Sequence, residues 1–148
     1  MKNKHIFRWL LPLGWMGCIF YLSHQPGSES SELSSNIVIV ILSVIGNIVP
    51  FDIDVSIFHT MIRKSAHFFA YFILGMLFYW VLRGKKIRWL YALFLSFLYA
   101  VSDEIHQLFI PGRSGEFRDV LIDSCGALVG IVFIICLSRL FRKKDDTI

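Results

Sequence analysis

Apolar residues dominate four long stretches of this chain, each bounded by charged or turn-forming residues. They run from about Ile6 to Ser23, Arg63 to Leu82, Ile87 to Ile110 and Asp119 to Leu140. Each is close to the roughly twenty residues that a helix needs to cross a bilayer core. The third reaches that length only by continuing past Val101 through Ser102-Asp103-Glu104-Ile105-His106-Gln107, before Pro111-Gly112 ends it. A further apolar run, Asn36 to Val49, follows a Ser- and Glu-rich stretch and is broken by Pro50, Asp52 and Asp54. It is too short to span and reads as an interfacial or re-entrant segment. The pattern therefore predicts an all-α membrane protein. It is a single domain over 1–148, with four transmembrane helices and a short interfacial or re-entrant helix between the first and second.

The first stretch, with Lys2 and Lys4 at its start, could be a signal peptide. Tyr21-Leu22-Ser23-His24 lacks the small residues of a cleavage site, so a retained helix is expected. Gly126 and Gly130 form a small-xxx-small pair in the fourth stretch, which permits close helix packing.

Composition agrees with a bilayer setting. Of 148 residues, 55% are hydrophobic, and a soluble domain of this size has too little interior to hide them. Cys18, Cys125 and Cys136 lie inside apolar runs with no CxxC pair, so they are expected to be small buried hydrophobes rather than a disulfide or zinc framework.

Charge orders the topology. Eleven of the fifteen Lys and Arg residues fall in three clusters. These are Lys2, Lys4 and Arg8; Arg83, Lys85, Lys86 and Arg88; and Arg139, Arg142, Lys143 and Lys144. Four spans with both termini cytoplasmic put all three clusters inside, as the positive-inside rule expects. The clusters flank apolar runs, which suits anionic membrane lipids; no basic face with interleaved aromatics suggests nucleic acid. Arg63, Lys64, Arg113 and Arg118 break the rule, and all four sit beside the polar residues of interest.

Helix rise serves as a ruler. His67 lies about 24 Å from Arg83, Asp103 about 22 Å from Arg88, and Asp123 about 24 Å from Arg139. His67, Asp103, Glu104, Gln107 and Asp123 are thus expected at one depth, near the outer ends of three helices, with Lys64, Asp119 and the Arg113 loop just beyond. Lys64, His67 and Tyr71 share one helical face, Asp103 and Gln107 another, and Asp119 and Asp123 a third. Ionisable groups at that depth are costly unless paired or hydrated, which favours a functional pocket over pure helix locking. His67, Glu104 and Asp103 are the candidate catalytic groups. Lys64, Tyr71, Gln107, Arg113, Arg118, Asp119 and Asp123 are the candidate substrate contacts. No residue is assigned to a metal and no cofactor is identified. Adjacent Asp103 and Glu104 diverge by about 100°, so one of them is expected to meet Arg113 or Lys64 instead of the shared site. His106 and Tyr71 read more naturally as interfacial.

At these residues the chain resembles the VanZ-like family of bacterial membrane proteins. The likeness rests on Arg63-Lys64-Ser65-Ala66-His67-Phe68-Phe69-Ala70-Tyr71 and on Ser102-Asp103-Glu104-Ile105-His106-Gln107 through Pro111-Gly112-Arg113 to Arg118-Asp119-Val120 and Gly126. Ser23-His24-Gln25-Pro26 resembles a weaker element. Asp123 stands where the family commonly has Asn, and His24 where it has Ser. The resemblance implies a cell-envelope protein of a family associated with resistance to the glycopeptide antibiotic teicoplanin, and it implies no particular reaction. The expected partners are membrane lipids and a lipid-linked envelope precursor or a glycopeptide. In the enzymatic version His67 or Glu104 accepts a proton while Lys64 and Arg113 hold an anionic group and Asp119 orients one of them. The alternatives are a non-enzymatic binding or permeation protein, in which the carboxylates and His67 relay protons or hold a cation, and a structural adaptor.

Overall fold

The computed structural model describes residues 3–28 and 55–145. It contains four helices: α1 (Asn3–Ser23), α2 (Val55–Val81), α3 (Arg88–Gln107) and α4 (Phe117–Asp145). No strand occurs among the described residues. The segment expected at 36–49 lies outside them. The helix bounds differ from those the apolar pattern suggests. α2 begins eight residues before Arg63, because Val55 to Ile62 continue the helical backbone ahead of the charged pair. α3 stops at Gln107, and residues 108–110 continue as tighter turns closed by Phe109 N–H to His106 O and Ile110 N–H to Gln107 O.

α2 and α4 make the most extensive helix contact. Small residues allow it. A side chain at Gly126 would collide with the carbonyl of Phe68, and one at Gly130 with the carbonyl of Phe72. On the other helix, one at Gly75 would meet the backbone of Ala127. Both registers ascend together, so α2 and α4 run parallel and α3 passes between their ends in the opposite sense. The buried face of α3 reads Ala92, Ser96, Ala100, then Asp103, Glu104 and Gln107. It is small at the basic end, which lets neighbours close in, and polar at the other. Ser96 satisfies itself by donating to Ala92 O at 2.9 Å.

α1 is bonded into the bundle. Trp15 Nε1–H donates to Ala70 O at 2.8 Å, and Tyr99 Oη–H donates to Met16 O at 2.6 Å. These bonds satisfy the polar tips of two large aromatics within the helix contacts. At the basic end, Arg83 lies 4.8 Å over the Trp80 ring and Arg88 4.1 Å over Tyr79.

The outside of the bundle is apolar. Leu10 and Phe20 on α1, Phe94 and Leu98 on α3, and Phe133 on α4 are all exposed. One helix among the described residues, α4 over Phe117–Phe141, is long and apolar enough to cross a membrane. Only 33% of its most apolar stretch is buried, whereas the core helix of a soluble protein is mostly buried. The cysteines correct one expectation: Cys18, Cys125 and Cys136 are free and exposed on outward faces. Apolar surroundings in sequence do not distinguish an inward from an outward face when both faces are apolar.

A side chain at Gly130 has only fixed backbone to displace. Gly130→Leu should therefore lower stability by at least the roughly 1–3 kcal/mol typical of overpacking. Val129→Leu, on the adjacent exposed position, should be near neutral. Thermal unfolding of the two variants in detergent measures the difference.

Candidate functional site

At the end of the bundle away from the basic turn, three helices deliver acidic and imidazole groups to one point. α2 contributes His67, α3 contributes Asp103 and Glu104, and α4 contributes Asp123. One potential donor atom from each of the four lies within 4.8 Å of the other three. The residues share a level because α2 and α4 are held in register by the glycine contacts one to two turns below. Asp123 is 0% exposed and Asp103 2%, so this is an interior cluster.

The carboxylates are held from behind. Asp103 Oδ2 accepts from Ser23 Oγ at 2.9 Å and from Gln107 Nε2 at 3.3 Å. Glu104 Oε1 accepts from Gln107 Nε2 at 3.2 Å, and its Oε2 from the Glu116 backbone N–H at 2.9 Å. The inward atoms are left over. Asp103 Oδ1, both oxygens of Asp123, His67 Nδ1 and Tyr71 Oη are buried without a hydrogen-bond partner. His67 Nδ1 stands 3.5 Å from Asp123 Oδ2, an ion-pair distance with poor hydrogen-bond geometry. Each such orphan costs on the order of 1–3 kcal/mol, which makes five in one place a feature to be explained.

Two sequence expectations need correction. Asp103 and Glu104 do not part company: both side chains are buried and both reach the cluster. Asp103 is held from α1 by Ser23, and Glu104 from the start of α4 by the Glu116 backbone. Neither pairs with Lys64 or bonds to Arg113. Tyr71 is not interfacial; it is 0% exposed, one helical turn below His67, with its ring centroid 6.0 Å from that of Tyr99.

The cations flank the cluster. Lys64 Nζ is 2.5 Å from Asp119 Oδ1 and 3.6 Å from Glu116 Oε2, fastening α2 to the first turn of α4. Arg113 donates from Nε to Gln25 O at 3.0 Å, from Nη2 to Leu22 O at 3.2 Å, and from Nη1 to Gln107 Oε1 at 3.3 Å. Gly27 N–H to Pro111 O, 3.0 Å, completes this junction. Burial pulls the Arg113 guanidinium below its ordinary pKa, Arg63 adds to the effect, and Asp103 and Glu104 oppose it. Such a group stays charged, and here its planar fork ties the end of α1 to the end of α3. Arg118 is exposed and joins none of these contacts. His106 stands outside the cluster, stacked on Phe20 with ring centroids 4.5 Å apart and with Nε2 3.2 Å from His24 Nδ1.

Sequence reasoning passed over Ser23 and Glu116 as parts of the site. Ser23 was accessible to the same ruler: it lies about 22 Å from Arg8, the same interval that separates Asp103 from Arg88. Glu116 acts through its backbone N–H, for which side-chain identity gives no signal.

Arg113→Gln should release the end of α1. Loss of a charge-assisted network of this kind is worth about 1.5–3 kcal/mol, so hydrogen exchange at Gly27 N–H should accelerate by roughly tenfold or more. Arg113→Lys should not restore protection, because an ammonium cannot reproduce the three-way fork.

No curated protein and no solved structure shows a match to this chain. A family model does: the VanZ/LLP1 model matches residues 7–141. That range contains all four helices almost entire, together with every residue of the polar cluster and its supports. With the match covering all but the ends, the chain belongs to the VanZ/LLP1 family.

Proposed function

We propose that this chain is a multi-pass membrane protein of the bacterial cell envelope. It spans four times with both termini cytoplasmic and binds an anionic, lipid-linked or glycan-phosphate envelope component at its outer end. The observation that carries the reading is an open groove of about 320 Å³ beside the polar cluster. It is lined by apolar Met61, Phe68, Phe69 and Ile122, with Lys64 among them. Small-ligand sites of this size are mostly apolar with a few placed polar groups. An acyl or polyprenyl chain suits the apolar wall. Lys64, already paired with Asp119 and Glu116, suits an anionic head that exchanges into that pair. Lys64 and His67 share one face of α2, so a head group bound at Lys64 would sit beside the cluster.

Four spans are supported by the exposed apolar faces of α1, α3 and α4. They are supported too by the Arg83–Trp80 and Arg88–Tyr79 contacts, which place cations and aromatics together as at a membrane interface. The family's association with glycopeptide resistance directs attention to envelope precursors, or to the antibiotic itself, as the bound component. In a catalytic version, His67 and Glu104 are the groups placed to accept a proton. The many helix-to-helix bonds of Arg113 favour a positioning role for that residue over direct contact with substrate.

Two measurements test this reading. In a cysteine-free background, Ser114→Cys should react with a membrane-impermeant thiol reagent added outside intact cells; reaction only after the cytoplasm is opened refutes the topology. In native mass spectrometry, a polyprenyl-phosphate probe should bind the purified protein saturably. Removing the charge with Lys64→Gln should weaken it by about tenfold or more, the value of one charge-assisted contact. Arg83→Gln, at the opposite end, should leave it unchanged. Equal binding by all three proteins, or by none, would sink the proposal.

A further inference from the structure

We infer that His67, Asp103, Glu104 and Asp123 form a binding site for one divalent transition-metal ion. The inference does not depend on whether the neighbouring groove takes a lipid.

Three observations converge. The first is the donor set: one imidazole and three carboxylates, drawn from three helices, with a potential ligand atom from each inside a 4.8 Å span. Donors held about 2.0–2.2 Å from a common ion lie roughly 3–4 Å apart, so small side-chain rotations close the set. The second is the direction of the existing bonds. Ser23, Gln107 and the Glu116 N–H hold the carboxylates of Asp103 and Glu104 from outside the cluster. Asp103 Oδ1, both oxygens of Asp123 and His67 Nδ1 remain without hydrogen-bond partners, with His67 Nδ1 and Asp123 Oδ2 facing each other at 3.5 Å. Metal sites show this two-layer order, in which an outer hydrogen-bonded shell fixes ligands whose remaining lone pairs point to the ion. The third lies outside the acidic cluster itself. Tyr71 is 0% exposed, its hydroxyl has no hydrogen-bond partner, and it lies one helical turn from His67 on the same face of α2. A buried phenol O–H ordinarily donates to an acceptor. A ligand oxygen or a metal-bound water supplies the missing acceptor.

Electrostatics point the same way. The nearby cations are engaged elsewhere, Lys64 with Asp119 and Glu116 and Arg113 with Gln107 and two α1-side carbonyls. Three carboxylates against one imidazole in a dry interior repel one another, and a dication relieves that repulsion. The imidazole decides the class of ion. Oxygen-only cages suit Mg²⁺ or Ca²⁺, whereas a mixed nitrogen and carboxylate set suits Mn²⁺, Fe²⁺ or Zn²⁺.

The test uses the full chain in detergent, stripped with a chelator and titrated calorimetrically with Mn²⁺ and with Zn²⁺. Saturable binding of one ion per chain is expected, at least tenfold tighter than Mg²⁺ under the same conditions. Asp123→Asn and Asp103→Asn should each weaken it by about a hundredfold, as loss of a ligand or its support does. The ion should also raise the melting temperature of the parent protein and not that of Asp123→Asn. The exposed His24–His106 pair could capture Zn²⁺ by itself, so His24→Ala is the control and should leave affinity and stoichiometry unchanged. In the His24→Ala background, Mn²⁺ bound to protein with ¹⁵N-labelled histidine should show a nitrogen coupling in pulsed EPR, which His67→Gln removes. That readout needs no carboxylate variant to fold. Absence of saturable binding by the parent protein overturns the inference. So does binding that survives Asp123→Asn but is lost with His24→Ala, or bound Mn²⁺ without a nitrogen coupling.

Discussion

Where Gly126 and Gly130 face α2, the carbonyls of Phe68 and Phe72 occupy the space that a side chain would need. That close approach sets the register between the two parallel helices, and the register sets His67 level with Asp123. Van der Waals contact between backbones is short-ranged and has little freedom to slide, which makes it a good anchor for a polar site one or two turns away. α3 then fills the remaining side. It is slim where Ala92, Ser96 and Ala100 must fit, and acidic where Asp103 and Glu104 meet the other two helices.

The polar end is built in two tiers with different tasks. The outer tier consists of Arg113, Lys64, Glu116, Asp119 and the backbone near Gly27 and Pro111, and its bonds run between elements. It closes the end of the bundle. The inner tier consists of His67, Tyr71, Asp103, Glu104 and Asp123, and all but Glu104 keep an atom without a hydrogen-bond partner. Ion pairs in an interior contribute little net stability, because desolvation offsets attraction. A bundle needing only to be locked would be served by the outer tier, or by apolar side chains in place of the inner one. That contrast supports the proposed binding role of the inner tier.

Much of this was legible in the residues. Four helices, the small-residue contact on α4, and a shared depth for His67, Asp103, Glu104 and Asp123 follow from apolar run length and a fixed helical rise. The same ruler reaches Ser23 once α1 is counted as a fourth contributor. Rotation about each helix axis was not legible. It decides that Tyr71 is interior, that the three cysteines face outward, and that both Asp103 and Glu104 turn inward, one leaning on α1 and the other on α4.

The sequence by itself determined a helical, strongly apolar chain with its ionisable residues confined to the helix ends, because the period and length of apolar runs are local properties. Only the tertiary structure decided which partner each charge takes. Lys64 and Arg113 read alike, as two cations for one anionic group with Asp119 orienting one of them; in the fold Lys64 takes Asp119 and Glu116, while Arg113 bonds to carbonyls and an amide. The three carboxylates read as one layer, yet Asp103 Oδ2 and both Glu104 oxygens accept hydrogen bonds while Asp103 Oδ1 and both Asp123 oxygens have no hydrogen-bond partner. Those outcomes depend on contacts between residues up to 91 positions apart, where the chain's order carries no distance information and packing supplies it.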